Sequence, residues 1–375
     1  MNFDFSQHQD LLRDQARRFL AANSPPRRVR RVLQGEATHD ADLWRGMAEL
    51  GWMGTAVPQQ FGGVGLTPVD LCVIAEELGR VLAPVPFSSS VYLAIEAILL
   101  AGSEAQKRDL VPGLAAGRRI GTLAWSEGTR PPTARNLACR FSNGALSGEK
   151  MPVPDGGIAG IAIVAARRDD GEIGLFVVEL AADGVARQAV ETLDPSRGAV
   201  RLTFDNAKAE PLEVGGDGWN VLQRVLDRGA ILMAFEQLGG ADAALEMATA
   251  YARERHAFGR PIGSFQAIKH KLADVYVAGQ VARSNAYFGA WALTNDAPDL
   301  PVAAAAARVA ATEAYSEAAK ENIQTHGGIG FTWEHDCHLH YRRAKHLALA
   351  LGSERRWKSR LISGLQHRNT TPGRA

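Results

Sequence analysis

The sequence has little cysteine, no long apolar run and almost no net charge, and each shortage excludes a class of protein. Its 375 residues include three cysteines, Cys72, Cys139 and Cys337, which are far apart and odd in number. This distribution argues against a disulfide framework and favours a reducing compartment. Residues 1–6 are too polar for a secretory signal, and without an apolar run of about 18 residues no membrane span is predicted. We therefore expect a cytoplasmic protein.

The charge balance argues against a nucleic-acid partner. The 42 basic and 41 acidic side chains leave a formal net charge of +1, so no overall positive field favours nucleic acid. The local basic run at residues 25–31 is typical of a solvated turn and helix start. With 46% hydrophobic and 22% charged residues, the composition is that of a globular protein long enough for two or three cooperative units.

The spacing of apolar residues predicts three successive regions along the chain. Helical periodicity comes first, at residues 9–22, 40–50 and 69–79. Short β-rich runs separated by Asn-Gly and Asp-Gly turns follow, at residues 161–164, 175–178 and 200–204. Long amphipathic segments that suit a helical bundle come last, at residues 220–255, 264–293, 302–325 and 333–349.

These regions predict an α+β fold with three domains. Strands that follow one another without intervening helices favour an antiparallel sheet or a small barrel. We therefore predict an N-terminal helical domain over residues 1–119, a central antiparallel β domain or barrel over residues 120–212, and a C-terminal four-helix bundle over residues 213–375.

A glycine-rich segment, Phe61-Gly-Gly-Val-Gly-Leu66, interrupts the first helical region. It could be mistaken for a phosphate-binding loop, but it lacks the Lys-Ser/Thr pair of a P-loop and no strand clearly precedes it. We interpret it as a structural turn. It leads through Thr67 and Pro68 into the next helix, with proline at an early helical position.

Two motifs in the last third of the chain carry the strongest functional signal. The first, at residues 251–262, reads Tyr-Ala-Arg-Glu-Arg-His-Ala-Phe-Gly-Arg-Pro-Ile and continues to Phe265-Gln266. The second, at residues 324–331, reads Gln-Thr-His-Gly-Gly-Ile-Gly-Phe. Together with the glycine-rich segment and Glu76-Glu-Leu-Gly79, these motifs make the chain resemble the acyl-CoA dehydrogenase family over nearly its whole length.

The resemblance implies a flavoprotein enzyme. Members of the family use FAD to oxidise an acyl-CoA thioester between its α- and β-carbons, and they pass the electrons to an electron-transfer flavoprotein. They also associate into dimers or tetramers. We therefore expect an acyl-CoA substrate, FAD, an electron-transfer flavoprotein as electron acceptor, and assembly into a homo- or hetero-oligomer.

The residues of both motifs suit a bound FAD. Its pyrophosphate carries two negative charges, to which Arg255 can offer a bidentate guanidinium fork. The glycines of the second motif let backbone amides approach phosphate oxygens. By resemblance, the FAD contacts, some of them made across a subunit interface, are Arg255, Phe258, Phe265, Gln324, Gly327 and Gly328. The alternative for Arg255 is an ordinary helix-end charge beside Glu254.

The predicted sheet matches the family less closely. Residues 123–127, Leu-Ala-Trp-Ser-Glu, resemble the strand that meets the flavin ring, so Ser126 is expected to contact that ring. Farther along, Pro152 and Pro154 stand where the family has a tryptophan and a threonine. Because proline has no backbone N–H to donate, we expect the contacts of this strand to differ from those of the family.

The family's catalytic base is missing from its usual position. By resemblance, Leu351 stands where the family has the glutamate that removes the α-proton. Leu351 retains the backbone N–H that polarises the thioester carbonyl in the family, but it has no carboxylate. Some relatives place the base on the long helix before the first motif. That position falls near Gly229, which has no side chain.

Glu236 is the replacement base that the sequence offers. It lies seven residues after Gly229, about two turns along the same helix face. Its helical neighbours Leu232, Met233 and Gly239 provide no counter-charge. Burial on such a face would keep the carboxylate desolvated, which is a useful state for a base. The alternative is that Glu236 pairs with a cation from another helix.

The run Glu-His-Asp-Cys-His-Leu-His at residues 334–340 invites comparison with a metal site. His335 and His338 are three residues apart and could share a helix face, whereas His340 points elsewhere. We interpret the run as a polar helix start after the second motif and expect no metal there.

Three functions are compatible with the sequence. The first is dehydrogenation of an acyl-CoA thioester, for which the smaller, apolar Leu351 would widen the pocket toward bulky or branched, sterol side-chain-like substrates. The second is a non-catalytic partner subunit that completes the flavin site of another chain and has lost its own base. The third, an oxidase that passes electrons to oxygen, is not distinguished by any residue in the sequence.

Overall fold

The computed structural model describes residues 6–213 and 217–370. Within these ranges the order of elements is helices, then strands, then helices, and the predicted α+β fold is confirmed. The expectation that the first residues form no secretory signal concerns residues 1–5, which lie outside the described residues. No helix within the described ranges is long and apolar enough to cross a membrane.

The helices fall into two groups along the chain. Helices α1 to α6 come first: Gln7–Asn23, Pro26–Leu33, Ala41–Glu49, Pro68–Arg80, Glu96–Ala101 and Glu104–Ala115. A π-helix, Ser88–Ile95, runs directly into α5. Helices α7 to α11 come last: Gly218–Glu254, Gln266–Thr294, Leu300–His326, Cys337–Leu349 and Glu354–Thr370. The predicted helices are present, but α10 begins at Cys337 instead of near Trp333.

Local side-chain capping explains where several helices begin. Ser6 and Gln9 form a reciprocal capping box at the start of α1, and Ser103 and Gln106 repeat it at α6. Asp40 accepts a hydrogen bond from the backbone N–H of Leu43 at 3.1 Å and so caps α3. These bonds satisfy backbone donors that the first helical turn leaves unpaired.

The central strands form one sheet. Strands β1 to β8 are Gly121–Ala124, Arg140–Ser142, Ala145–Pro154, Ile161–Arg167, Ile173–Glu179, Val185–Val190, Ala199–Lys208 and Glu210–Pro211. Their order is β6-β7-β3-β2-β4-β5-β8, with β1 beside β4. Most pairs are antiparallel, as expected, but β1–β4 and β2–β4 are parallel. Long connections permit this arrangement, because a parallel pair cannot be joined by a hairpin.

By spatial proximity the chain divides into two compact units. The first unit is made of the segment up to Val29, Pro68–Ala83 and the segment from Ala230 onward. The second is made of Arg30–Thr67 and Pro84–Gly229, and it includes the sheet. The boundary therefore falls within α7. The three-domain division by sequence remains a prediction.

Consecutive serines anchor the buried π-helix in the second unit. Ser88 Oγ accepts from the Arg197 guanidinium at 2.6 Å, and Ser89 Oγ donates to Asp155 Oδ2 at 2.7 Å. Ser90 Oγ accepts from the first backbone N–H of β1 at 3.1 Å. Arg197 and Asp155 are buried and form an ion pair at 2.9 Å. The network gives partners to polar groups that would otherwise be buried at a cost.

In the first unit, α4 and α7 approach so closely that both need glycine. A Cβ on Gly79 of α4 would lie 1.9 Å from the backbone oxygen of Glu236. A Cβ on Gly239 of α7 would lie 1.8 Å from the backbone oxygen of Glu76. Such distances are far inside van der Waals contact, so a side chain at either position would force the helices apart. The crossing therefore fixes where Glu236 lies.

We predict that Gly239→Ala lowers the free energy of unfolding by about 2 kcal/mol or more, because the helices must separate to admit the methyl group. The matched control is Gly279→Ala in α8, where a Cβ would meet nothing within 4 Å. Alanine's higher helix propensity should stabilise that control by about 0.5–1 kcal/mol. Urea unfolding followed by circular dichroism measures both variants, and equal stabilities would contradict the close crossing.

Candidate active site

The first motif forms the end of α7 and a short hairpin of strands β9, His256–Ala257, and β10, Arg260–Pro261. Its two-residue loop is Phe258-Gly259, with φ angles of 52° and 77°, as a type I′ turn requires. A bulky residue rarely adopts such an angle because its Cβ crowds the backbone. The turn holds the Phe258 side chain 95% exposed. A strained, exposed aromatic side chain favours a binding role.

Arg255 and Phe265 flank this hairpin in the first unit. The Arg255 side chain is exposed, and within the described residues its guanidinium has no hydrogen-bond or ion-pair partner. This exposure at the end of α7 agrees both with a role in binding and with the alternative of an ordinary helix-end charge beside Glu254, so the role of Arg255 remains a prediction. Phe265 is half-buried, with its ring centroid 6.2 Å from that of Phe258 and 4.0 Å from the Arg260 guanidinium. The Arg255 charge is thus available to an anion.

The second motif follows α9 as a short 3-10 helix, Gly327–Phe331. A Cβ on Gly327 or Gly328 would meet nothing within 4 Å, whereas a Cβ on Gly330 would lie 2.7 Å from the backbone oxygen of Ile323. Internal packing therefore explains Gly330 but not the first two glycines, which are exposed. The Gly327 N–H already caps α9 by donating to the backbone oxygens of Gln324 and Ile323, so Gly327 would serve a cofactor by leaving room for it. Gly328 is the glycine whose backbone amide fits the phosphate oxygens of FAD.

An aromatic contact brings the two motifs together. The ring of Tyr251, in the first motif, stacks on that of His326, in the second, with centroids 4.1 Å apart. Gln324, two residues before His326, is exposed. The two motifs expected to contact FAD therefore meet within the first unit, and the chemistry of their residues fits the cofactor.

Ser126 belongs to the second unit, directly after β1. Its side chain is half-buried, and its backbone oxygen accepts from the N–H of Met151 at 2.9 Å. Strand β3 continues through Pro152 to Pro154, but its register against β7 is irregular between Lys150 and Val153. The irregularity lies where Pro152 has no N–H to donate.

Glu236 is buried in the first unit, at 4% exposure, but it is not isolated. Arg343 Nη1 lies 3.8 Å from Glu236 Oε1, and Arg343 also donates to the backbone oxygens of Leu82 and Ala83. Desolvation lowers the pKa of the buried Arg308 to about 10, and the charge of Glu236 opposes that shift. The neighbours of Glu236 on α7 supply no counter-charge, but Arg343 on α10 does. Glu236 therefore faces a cation from another helix, which was the alternative to a catalytic role. A catalytic role for Glu236 remains a prediction.

Neither of the other two base positions carries a carboxylate. Leu351 is fully buried, at 0% exposure, and its backbone oxygen accepts from Trp357 Nε1 at 3.1 Å. In the second unit, a Cβ on Gly229 would lie 2.7 Å from Leu93 Cδ2. Leu93 therefore occupies the space that a side chain at residue 229 would need.

Sequence reasoning missed the partners of these positions, Leu93, Arg308 and Arg343. A helical pattern shows which face is buried but not which side chain lies opposite. One signal was present for Arg308, which follows five consecutive alanines in α9. An arginine in such a tightly packed run is a candidate for a buried charge.

The histidine run is arranged differently from the sequence expectation. His338 stacks on Trp333, with ring centroids 4.9 Å apart. His335 lies with His326 and Cys337, and one ligand atom from each of these three residues lies within 4.8 Å of the others. The reason is that α10 begins only at Cys337, so His335 and His338 do not share a helix face.

Comparisons with known proteins cover nearly the whole chain. The family models "acyl-CoA dehydrogenase, N-terminal domain" and "C-terminal domain" match residues 6–118 and 216–361. The acyl-CoA dehydrogenase IpdE2 of Mycobacterium tuberculosis is 33% identical over 360 residues, which is 95% of this chain and 97% of that protein.

Solved structures show the same likeness. A variant of the Tcur3481-Tcur3483 steroid ACAD superposes with a TM-score of 0.89 and 32% identity, covering 97% of this chain and 99% of that one. A chain of the ChsE4-ChsE5 complex from Mycobacterium tuberculosis superposes with a TM-score of 0.89 and 27% identity, covering 100% of both.

We predict that Arg343→Met lowers the free energy of unfolding by about 3 kcal/mol or more, because it removes a buried cation beside the Glu236 carboxylate and the donor to two backbone oxygens. The double variant Glu236→Gln/Arg343→Met should recover part of this loss. The control is Arg355→Met, at an exposed position. Urea unfolding at neutral pH measures all of them. Additive losses in the double variant would show that the two residues are not coupled.

Proposed function

Because the chain belongs to the acyl-CoA dehydrogenase family, we propose that it is a subunit of an enzyme that oxidises an acyl-CoA thioester between its α- and β-carbons. Electrons would pass to an electron-transfer flavoprotein. The observation that best supports FAD as cofactor is the contact between the two motifs in the first unit, where Tyr251 stacks on His326. There an exposed arginine, an exposed aromatic ring and two glycines with no packing role share one region. A cytoplasmic location remains a prediction.

When bound, FAD would accept the hydride from the substrate β-carbon. The chain's own contribution is to hold and orient the cofactor. Arg255 would neutralise pyrophosphate charge, Gly327 would leave room for the phosphates, and the backbone N–H of Gly328 would donate to a phosphate oxygen. Ser126 would contact the flavin ring, as its place in the family's strand implies. The backbone N–H of Leu351 would donate to the thioester carbonyl and stabilise the negative charge that develops there.

We predict that Arg255→Met weakens FAD binding about 10- to 100-fold, because hydrogen bonds to charged groups contribute about 1.5–3 kcal/mol each. Gly328→Ala should also lower FAD retention while leaving the unfolding midpoint unchanged, since the added methyl group meets nothing within 4 Å in the chain itself. FAD titration into the apoprotein, followed by flavin fluorescence, measures the affinity.

The matched control for this measurement is Arg253→Met. Arg253 is exposed and lies two residues before Arg255, at a position where the family motif has no fixed residue. If the two arginine variants bind FAD equally well, the assignment of Arg255 to the pyrophosphate is wrong.

We propose further that the acyl group is bulky or branched, in the manner of a sterol side chain. The support is Leu351, an apolar residue where the family has a carboxylate, together with the steroid named for the Tcur3481-Tcur3483 enzyme. The substrate pocket itself is therefore expected to be shaped for a larger group than a straight chain.

A specific set of observations favours a second role for this chain, that of a partner without its own base. Leu351 and Gly229 offer no carboxylate, and Glu236 Oε1 lies 3.8 Å from the Arg343 guanidinium. At the same time, Arg255, Phe258 and Gln324 are exposed, as they would be if they reached the cofactor of another chain. Both structures compared above bear paired names, which supports a hetero-oligomer.

Anaerobic addition of acyl-CoA thioesters to the purified chain tests these proposals together. We predict that a thioester with a steroid side chain reduces the flavin, seen as loss of its visible absorbance, faster than straight or 2-methyl-branched thioesters do. A preference for a straight chain would contradict the proposed substrate. Dioxygen consumption with peroxide formation in the aerobic reaction would instead indicate an oxidase.

The same assay separates the two roles of the chain. If a thioester reduces the flavin of the homomer, and if Glu236→Gln abolishes this reduction while Glu354→Gln keeps it, the base is Glu236. Glu354 is the control because it is a half-buried carboxylate paired with Lys358 at 2.5 Å. The partner role predicts a yellow homomer that no thioester reduces. Co-expression with a second chain that carries the base should then give an active enzyme.

A further inference from the structure

Three side chains with metal-binding atoms meet between the end of α9 and the start of α10. His326, His335 and Cys337 each place one ligand atom within 4.8 Å of the other two. The two imidazole rings have centroids 4.4 Å apart, and Cys337 Sγ lies 3.2 Å from His335 Nδ1. The proposed dehydrogenation uses none of these three groups.

The His326 ring makes the hydrogen bond that metal-binding imidazoles usually make. Its Nδ1 lies 2.8 Å from the backbone oxygen of Asn322, a contact that places the proton on Nδ1 and leaves the lone pair on Nε2 free. A hydrogen bond from the second ring nitrogen to a backbone oxygen is what fixes the tautomer and plane of metal-binding imidazoles. Stacking on Tyr251 fixes the ring plane from another side.

Two more groups beside the cluster suit a metal ion. Met247 Sδ lies 3.8 Å from Cys337 Sγ, so a second soft sulfur faces the same space. The fully buried Asn322 side chain contacts Met247 Sδ at 3.3 Å through Nδ2. Its Oδ1 is buried and has no hydrogen-bond partner among the described residues. A metal-bound water would give that oxygen the hydrogen-bond donor that it lacks.

We propose that His326, His335 and Cys337 form a binding site for one thiophilic transition-metal ion of the zinc type, with Met247 Sδ beside it as a weak further ligand. Thiolate and imidazole are the ligands that Zn(II) takes in proteins, at about 2.3 Å for sulfur and about 2.0–2.1 Å for nitrogen. The Cys337 thiol releases its proton to solvent as the sulfur–metal bond forms. His335, which is half-buried, provides the route by which the ion reaches the site.

Such an ion would tie the second motif to the start of α10. His326 directly precedes Gly327, and Cys337 is the first residue of α10. A metal bond between them would therefore restrict the glycine-containing turn that separates them. This role differs from cofactor binding, so the site can be tested without any assay of turnover.

The experiment uses the full chain without a polyhistidine tag, stripped with a chelator and then titrated with Co(II) and Zn(II). We expect one metal ion per chain and a thiolate-to-Co(II) charge-transfer band in the near ultraviolet. Cys337→Ser should abolish that band. His335→Gln should weaken Zn(II) binding by more than about 100-fold, since even second-shell changes cost up to about that factor.

Matched controls come from neighbouring residues of the same types. His338→Gln alters a histidine that stacks on Trp333 outside the cluster, and Cys72→Ser alters another buried cysteine. Both should keep the band and the affinity. Because Cys337 is fully buried, His335→Gln at its half-buried position keeps the test valid if the serine variant does not fold, as judged by circular dichroism. Any of three results would overturn the proposal: Zn(II) does not bind saturably, the charge-transfer band survives Cys337→Ser, or His335→Gln leaves the Zn(II) affinity unchanged.

Discussion

Two helices that touch backbone to backbone determine where charge is buried in the first unit. At the crossing of α4 and α7 neither glycine could carry a side chain, and the adjacent carboxylates Glu76 and Glu236 are consequently buried. Buried carboxylates need cations. Arg283 from α8 lies 2.6 Å from Glu76, and Arg343 from α10 lies 3.8 Å from Glu236. These features depend on one another: the close crossing buries the two carboxylates, and arginines from two later helices balance their charge.

This arrangement bears directly on catalysis. A base must take up a proton during turnover, which in Glu236 would remove the negative charge that faces the buried Arg343 guanidinium. The other two positions considered for a base carry Leu351 and Gly229. Leu93 occupies the space that a side chain at residue 229 would need. The chain thus retains the exposed groups expected to hold FAD, while the places for a base are apolar or already paired. That contrast is the physical reason for weighing a second chain as the source of the base.

The sequence predicted what depends on neighbouring residues and missed what depends on distant ones. Amphipathic periodicity located the long helices, and the Asn143-Gly144 pair forms the two-residue turn between β2 and β3. The motifs around Arg255 and Gln324 identified the family. Periodicity could not show that Arg343 would face Glu236 or that β1 would pair with β4 in parallel. Those contacts join segments far apart in the chain, and a local pattern holds no information about which one lies opposite.

The hairpin tip at Phe258 has a consequence for the life of the chain in the cell. Phe258 is 95% exposed, and Phe331 of the second motif is 81% exposed. Uncovered aromatic rings are surfaces that chaperones and proteases recognise. If a cofactor or a second chain covers them, the lifetime of the newly made protein would depend on how soon that cover arrives.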